Sequence, residues 1–108
     1  MKKITLGRTN AKVSTISLGT WSYGGTRSTS SMAVGWEGQE DRDSKAALLK
    51  AWESGITHWD TADVYGDGHS EAVIGTMWND VSRKDIFLAT NKGLDLNFMI
   101  LNFFKLVI

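Results

Sequence analysis

The sequence predicts an α/β protein built on a parallel β-sheet. After a short N-terminal hairpin, stretches rich in β-formers alternate with stretches of helical periodicity, in the order strand, helix, strand, helix, strand. This alternation is typical of right-handed βαβ units, whose strands run parallel. The last stretch, "DIFLAT", is almost continuously apolar, as in a strand that is buried on both faces. We expect adjacent parallel strands near 15–19, 56–59 and 86–90, with helices near 43–54 and 70–79.

The first forty residues predict a hairpin, one strand and a long loop. The stretches "KITL", "GRTN" and "AKVS" indicate the hairpin, in which Gly7 and Asn10 supply turn conformations. The stretch "STISLGT" predicts the first strand of the parallel sheet, which ends at Gly19. From Trp21 to Gln39 the chain is rich in glycine, serine and threonine and has no sustained period. We interpret this region as a long loop, which in a compact domain is usually functional or mobile.

Two helices follow from capping residues and apolar periodicity. Asp41 or Asp43 is expected to cap the first helix, and Gly55 to end it. Ser70 is expected to cap the second helix, and Glu71 lies in its first turn, where an acidic side chain is favourable. The apolar stripes that should pack on the sheet comprise Leu48, Leu49 and Trp52 in the first helix, and Val73, Ile74, Met77 and Trp78 in the second.

Composition excludes several classes of protein. The chain has 108 residues, enough for one modest domain, and its 12 basic residues are balanced by 12 acidic ones. It therefore lacks the basic surface expected of a nucleic-acid or membrane-surface binder. Cysteine is absent, which excludes disulfides, thiolate metal sites and cysteine nucleophiles. The N-terminus has no apolar signal region, and no segment is long and apolar enough to span a bilayer, so we expect a cytoplasmic protein.

The stretch "WDTADVYGDGHSE", residues 59–71, is the main candidate for a functional site. It follows the second predicted strand, and chemistry in parallel sheets is located at the carboxyl ends of the strands. A calcium loop is disfavoured, because counting from Asp63 puts Tyr65 at the third position and Ile74 at the twelfth, where oxygen ligands are needed. From the residues alone, a solvated turn remains an alternative, since aspartate and glycine are common in turns.

Three stretches resemble the aldo-keto reductases. The stretch "GITHWDTADVYGDGHSEAVIG" is similar to the signature of that family, in which a strand leads into D-T-A-x-x-Y-G and then into a helix that begins with S-E. The stretch "LGRTNAKVSTISLGTWSYGG" resembles the family's N-terminal hairpin and first barrel strand, and "RKDIFLAT" resembles its third strand. The resemblance runs from about residue 3 to about residue 93, in family order.

The resemblance implies a (β/α)8 barrel that reduces an aldehyde or ketone to an alcohol with NADPH, without a metal. By motif, Asp60 and Tyr65 match two of the family's catalytic residues, and Lys92 is the candidate for its catalytic lysine. The cofactor-binding residues that the resemblance implies are Gly19, Thr20, Trp21 and Asp60. Such a barrel needs about 250 residues. Residues 1–93 therefore correspond to about three of the eight strands, and residues 94–108 form an atypical apolar tail. We interpret that tail as the product of out-of-frame or prematurely ended translation, and a buried helix or strand is the alternative.

One departure from the family concerns the catalytic lysine. The family places it directly after A-T at the end of the third strand, but this sequence reads "LATNKG", with Asn91 at that position and Lys92 one residue later. Because side chains alternate along a strand, Lys92 should face away unless a bulge redirects it. The alternative interpretation is a non-catalytic remnant, or a fragment that needs another chain to complete the barrel. We expect the 108 residues alone to be inactive.

Overall fold

The structure is a computed structural model that describes residues 1–28, 33–35 and 38–91. Its strands are β1 (Lys3–Thr5), β2 (Lys12–Ser14), β3 (Ser17–Gly19), β4 (Thr26–Ser28), β5 (Ala33–Gly35), β6 (His58–Ala62) and β7 (Phe87–Asn91). Its α-helices are α1 (Asp41–Glu53) and α2 (His69–Gly75). Lys92 and the predicted tail at 94–108 lie outside the described residues.

Strands β3, β6 and β7 form a parallel sheet in that order, as the sequence predicted. The register places Gly19 beside Asp60, and Asp60 beside Ala89. The second strand was expected near 56–59 but begins at His58 and continues to Ala62, so Asp60 lies within the strand. The ladder extends this far because β7 pairs with β6 along its whole length.

The predicted N-terminal hairpin is present as the antiparallel pair β1–β2. Gly7 and Asn10 both have positive φ, 48° and 58°, which produces the turn. Ser14, at the end of β2, connects the hairpin to the parallel sheet. Its Oγ accepts hydrogen bonds from the backbone N–H groups of Thr57 (3.0 Å) and His58 (3.3 Å). The hairpin is therefore fastened to the amino end of β6.

The region from Trp21 to Gln39 is more regular than the predicted long loop. It begins with a single 3₁₀ turn at Trp21–Gly24 and continues into the antiparallel pair β4–β5. The prediction was wrong because these two strands have only three residues each, too few to show an alternation of apolar and polar residues. Their backbone groups are satisfied by hydrogen bonds between the two strands.

Both helices begin differently from the sequence prediction. Glu40 and Gly68 are the N-cap residues of α1 and α2, and neither makes a side-chain capping bond. Asp41 and Asp43 lie in the first turn of α1, where the helix dipole favours them. Gly68 adopts φ 91°, a left-handed conformation that needs glycine, and this starts α2 one residue before Ser70. The hydroxyl of Ser70 is thereby turned towards the sheet.

The end of α1 follows the sequence prediction. Gly55 has φ 82°, its N–H donates to the carbonyl of Trp52, and the N–H of Ile56 donates to the carbonyl of Ala51, both at 2.9 Å. These two bonds are the Schellman motif, which ends a helix at a left-handed glycine. The chain then enters β6 directly.

The core lies between the sheet and the two helices. Trp59 is fully buried in β6, stacks on Trp78 with ring centroids 6.1 Å apart, and donates its indole N–H to the carbonyl of Ile56. The buried cluster comprises Tyr23, Leu48, Trp59, Val73, Ile74, Met77, Val81 and Ile86, with Leu49, Trp52 and Trp78 packed against it. Both predicted helical stripes therefore pack as expected, and they cover one face of the sheet.

Neither α-helix is a membrane span. Helix α1 has 13 residues and α2 has 7, whereas about 20 apolar residues are needed to cross a bilayer. In the part of the chain that the structure describes, no helix is long and apolar enough.

Candidate active site

The candidate site lies at the carboxyl ends of the parallel strands, which we call the mouth. Along β6, Trp59 and Thr61 are fully buried on the helix side of the sheet, so His58 and Asp60 lie on the opposite face. We call this opposite face the site face. His58 contacts Phe87 of β7 edge-on, with ring centroids 5.3 Å apart, which confirms that these two side chains share it. Asp60 is therefore the carboxylate that β6 presents nearest the mouth.

Thr20 connects the end of β3 to Asp60. Its backbone N–H and its hydroxyl both donate to the carbonyl oxygen of Asp60, at 3.1 and 2.8 Å. The side chain of Thr20 is fully buried. These two bonds place the next residue, Trp21, at the mouth, where its side chain is 46% exposed. Of the predicted residues after β3, Trp21 thus offers a large accessible surface, whereas the hydroxyl of Thr20 is already engaged within the protein.

Tyr65 is held next to Trp21 by a close backbone contact. Their ring centroids lie 6.4 Å apart, with the planes inclined at 39°. Gly66 follows Tyr65 with φ 62°, and a Cβ built on Gly66 would lie only 1.9 Å from the carbonyl oxygen of Gly24. The turn at Trp21–Gly24 and the loop after β6 are therefore in direct backbone contact. Ser70 donates its backbone N–H to the carbonyl of Tyr65 at 3.2 Å, which fixes the other side of this loop.

Burial and mutual charge shift the ionisation of three site residues. Burial raises the pKa of the Asp60 carboxyl, and the nearby His58 partly offsets this rise. Burial lowers the pKa of His58, while Asp60 acts in the opposite direction. Burial also raises the pKa of the Tyr65 phenol, and the negative charge of Asp60 raises it further. Tyr65 consequently keeps its proton at neutral pH, and only a nearby cation would make the phenol a stronger acid.

The residue on the site face at the end of β7 is Asn91. Ala89 pairs with Asp60, and Asn91 is two residues further along the same strand, so it lies on the same face. Asn91 is exposed, and its carbonyl accepts the backbone N–H of Asp63 at 3.0 Å. The structure thus brings the family's lysine position to the mouth, but with an amide side chain. The assignment of Lys92 as a catalytic residue remains a prediction.

A buried group of hydroxyls beneath the mouth was not predicted from the sequence. Ser70 Oγ lies 2.9 Å from Thr20 Oγ1 and 3.0 Å from Thr61 Oγ1, and all three side chains are fully buried. Ser70 had been interpreted as a helix cap, which is incorrect. The only signal in the sequence was the presence of threonine immediately after Gly19 and Asp60, at the ends of two strands.

These features are those of an α/β barrel segment with a candidate site at the carboxyl ends of its strands, and comparison with known proteins identifies the family. The profile of the Aldo/keto reductase family matches residues 15–98. The chain belongs to the aldo/keto reductase family.

Curated relatives cover most of this chain but are much longer. Aldo-keto reductase YhdN of Bacillus subtilis is 34% identical over 96 residues, which is 88% of this chain and 27% of the relative. The NADH-specific methylglyoxal reductase of Escherichia coli is 35% identical over 95 residues, which is 87% of this chain and 27% of the relative. The chain thus spans about a quarter of the length of these relatives.

Solved structures confirm the fold. The thermostable aldo-keto reductase Tm1743, in complex with the inhibitor epalrestat, matches with a TM-score of 0.67 and 33% identity, over 85% of this chain and 31% of that one. The holo form of an aldo-keto reductase from Bacillus halodurans matches with a TM-score of 0.65 and 30% identity, over 83% of this chain and 25% of that one. The predicted N-terminal portion of a (β/α)8 barrel, preceded by a hairpin, is confirmed.

Proposed function

We propose that this chain supplies the proton-donating side of an NADPH-dependent site that reduces an aldehyde or ketone to an alcohol. The observation that carries the proposal is the convergence of Tyr65, Trp21 and Asp60 at the mouth. The names of two relatives support a nicotinamide cofactor, namely the NADH-specific methylglyoxal reductase and an aldo-keto reductase of Schizosaccharomyces pombe marked NADP(+).

The described residues fit the reacting end of such a cofactor. Gly19 lies beside Asp60 in the register, and a Cβ built on Gly19 would meet no atom within 4 Å. Trp21, two residues further along the chain, is 46% exposed and offers an aromatic ring. A flat, uncharged ring would therefore find space and an aromatic partner here. Gly19, Trp21 and Asp60 are the residues that would hold the nicotinamide, which when bound supplies the hydride.

Tyr65 would perform the proton transfer. A carbonyl that gains a hydride becomes an alkoxide, and the phenol can donate its proton to that oxygen as a general acid. Burial and the charge of Asp60 keep this proton on Tyr65 until it is needed. The same carboxylate would attract a lysine ammonium to the mouth, and that cation would lower the pKa of the phenol. We propose Lys92 as this cation, since Asn91 carries no charge.

A non-catalytic chain is the second candidate, and the asparagine at position 91 favours it. Without a cation on the site face, Tyr65 would be a weak acid near neutral pH. In this alternative, the chain retains the family's fold and needs another chain to complete the barrel. A cytoplasmic location likewise remains a proposal.

The test uses both tyrosines of the chain. The 108 residues are assayed alone and after joining to the barrel segment that follows the matched part in the Bacillus subtilis relative, with NADPH and NADH in parallel. Alone, the chain should neither bind nor oxidise either cofactor. In the completed barrel, Tyr65→Phe should lower carbonyl reduction by roughly 100-fold or more, since general acid catalysis contributes about that much.

Tyr23→Phe is the matched control, because Tyr23 belongs to the buried core cluster and is not among the predicted site residues. It should retain the turnover of the parent barrel. If Tyr65→Phe leaves reduction unchanged, Tyr65 is not the proton donor. If the completed barrel binds NADPH but reduces no aldehyde even as the Asn91→Lys variant, the non-catalytic alternative is correct.

A further inference from the structure

The first turn of α2 contacts all three parallel strands near their carboxyl ends through side-chain hydrogen bonds. We propose that Ser70 and Glu71 are positioning residues that hold these strand ends together, so that the neighbouring site residues face the mouth. The inference rests on the proposed function only in treating Trp21, Asp60 and Asn91 as parts of an active site.

The bonds of Ser70 have a definite direction. The hydroxyl of Thr20 donates its single proton to the carbonyl of Asp60 (2.8 Å), so Thr20 Oγ1 can only accept from Ser70 (2.9 Å). Ser70 Oγ also lies 3.0 Å from the carbonyl of Thr20, so its proton is shared between the two oxygens of Thr20. Because the Ser70 hydroxyl donates its proton to Thr20, its oxygen must accept a hydrogen bond from the hydroxyl of Thr61, at 3.0 Å. The chain of donors therefore runs from Thr61 through Ser70 and Thr20 to Asp60.

Glu71 makes the corresponding contact with the third strand. The hydroxyl of Thr90, the penultimate residue of β7, donates to Glu71 Oε1 at 2.6 Å. A hydrogen bond to a carboxylate is short and strong compared with one between neutral groups. Two consecutive residues of α2 therefore reach all three strands, Ser70 to the ends of β3 and β6, and Glu71 to the end of β7.

Each contacted threonine adjoins a residue of the candidate site. Thr20 precedes Trp21, Thr61 follows Asp60, and Thr90 precedes Asn91. In β6 and β7, consecutive side chains point to opposite faces, so a threonine held on the helix face directs its neighbour to the site face. Holding the threonines therefore fixes where Asp60 and Asn91 point.

Backbone amide exchange, measured by NMR on the full chain, tests the inference without turnover. The amide of Thr20 is bonded to the carbonyl of Asp60, and the amide of Asp63 to the carbonyl of Asn91. The amide of Val81 is bonded to the carbonyl of Met77, in the 3₁₀ turn Thr76–Asn79 that follows α2, and serves as the internal reference. A purely structural role would accelerate exchange at all three amides alike, whereas a positioning role accelerates exchange at the mouth alone.

Ser70→Ala should accelerate exchange of the Thr20 amide on the order of tenfold, because the buried hydroxyls of Thr20 and Thr61 each lose one hydrogen bond. The exchange rate of Val81 should stay within about twofold. Ser54→Ala, at an exposed serine that ends α1, is the matched control and should change neither rate. Equal acceleration at Thr20 and Val81, or none at Thr20, would overturn the role of Ser70.

A second pair of variants tests Glu71 and keeps the inference falsifiable if Ser70→Ala does not fold. Glu71→Met removes the acceptor for Thr90 and should accelerate exchange of the Asp63 amide several-fold. Glu71→Gln keeps an acceptor oxygen of the same reach and should restore the slow exchange. If both Glu71 variants exchange at the rate of the parent chain, the inference is wrong. Because no turnover is measured, failure of the proposed reductase activity would leave this result unaffected.

Discussion

The backbone contact between Gly66 and Gly24 leads to a prediction about stability. Three glycines near this contact allow the cost of backbone strain to be measured separately from the cost of steric overlap. Gly66 combines a positive φ of 62° with the close contact, since a Cβ there would lie 1.9 Å from the oxygen of Gly24. Gly68 has a positive φ of 91° but open space around its Cβ position. Gly24 has no positive φ, but a Cβ built on it would lie 2.5 Å from the backbone nitrogen of Gly66. Alanine at position 66 therefore introduces both strain and overlap. Alanine at position 68 introduces backbone strain alone, and alanine at position 24 introduces steric overlap alone.

The magnitudes follow from these geometries. A left-handed conformation costs an alanine roughly 1–2 kcal/mol, and forcing extra atoms into a packed site typically costs about 1–3 kcal/mol. Gly68→Ala should therefore destabilise the chain by about 1–2 kcal/mol, and Gly66→Ala by about 2–5 kcal/mol. Gly24→Ala should destabilise the chain by about 1–3 kcal/mol, the cost of steric overlap alone. The obstructing atoms at Gly66 are backbone, so they cannot move aside as a flexible side chain would.

Urea unfolding followed by tryptophan fluorescence measures the difference. With a slope of about 1–3 kcal/mol per molar urea, the midpoint of Gly66→Ala should lie on the order of 1 M below that of Gly68→Ala. Gly66→Ala should also move the rings of Trp21 and Tyr65 apart, which a weaker nuclear Overhauser effect between them would show. Identical midpoints for Gly66→Ala and Gly68→Ala would refute the contact, because strain alone would then account for both.

Three further predictions concern the ionisation of Tyr65, Asp60 and His58. Asn91→Lys should lower the pKa of Tyr65, measured by ultraviolet difference absorbance, because it adds a cation at the mouth. Asn79→Lys, at an exposed position, should leave that pKa unchanged, and equal shifts in the two variants would contradict the placement of Asn91 near Tyr65. Asp60→Asn should also lower the pKa of Tyr65, and because burial raises the pKa of Asp60, it should raise the urea midpoint at neutral pH. That gain should vanish below the ordinary pKa of 3.8, where both chains are neutral at this position. Burial lowers the pKa of His58, so the parent chain should lose stability as pH falls through 6.5, and His58→Gln should lose less; equal losses would count against this assignment.

The order of strands and helices could be predicted because its signals are local. The stripe at Val73, Ile74 and Met77 repeats with the period of a helix, and these residues are buried against the sheet. The end of α1 was equally clear, since a glycine after an amphipathic stretch needs only its own backbone freedom. The family motif then located Tyr65 and Asp60 at the mouth.

The contacts between distant segments could not be predicted. Ser70 stands where a capping serine would, and only the fold shows that Thr20, 50 residues earlier, binds its hydroxyl. The approach of Gly24 to Gly66 likewise leaves no periodic trace, because glycine is common in loops for other reasons. Strands β4 and β5 could not be predicted because each has only three residues, too few for a recognisable period.

Separate serine side chains stabilise the two ends of the parallel sheet, Ser14 at the amino end and Ser70 at the carboxyl end. Ser14 fastens the N-terminal hairpin to the start of β6, whereas Ser70 acts at the opposite edge and shares none of these hydrogen-bond partners. Effects of changes at sites without shared partners tend to add independently. Loops at the mouth can therefore change in length and chemistry without disturbing the hydrogen bonds of Ser14 at the amino end of the sheet.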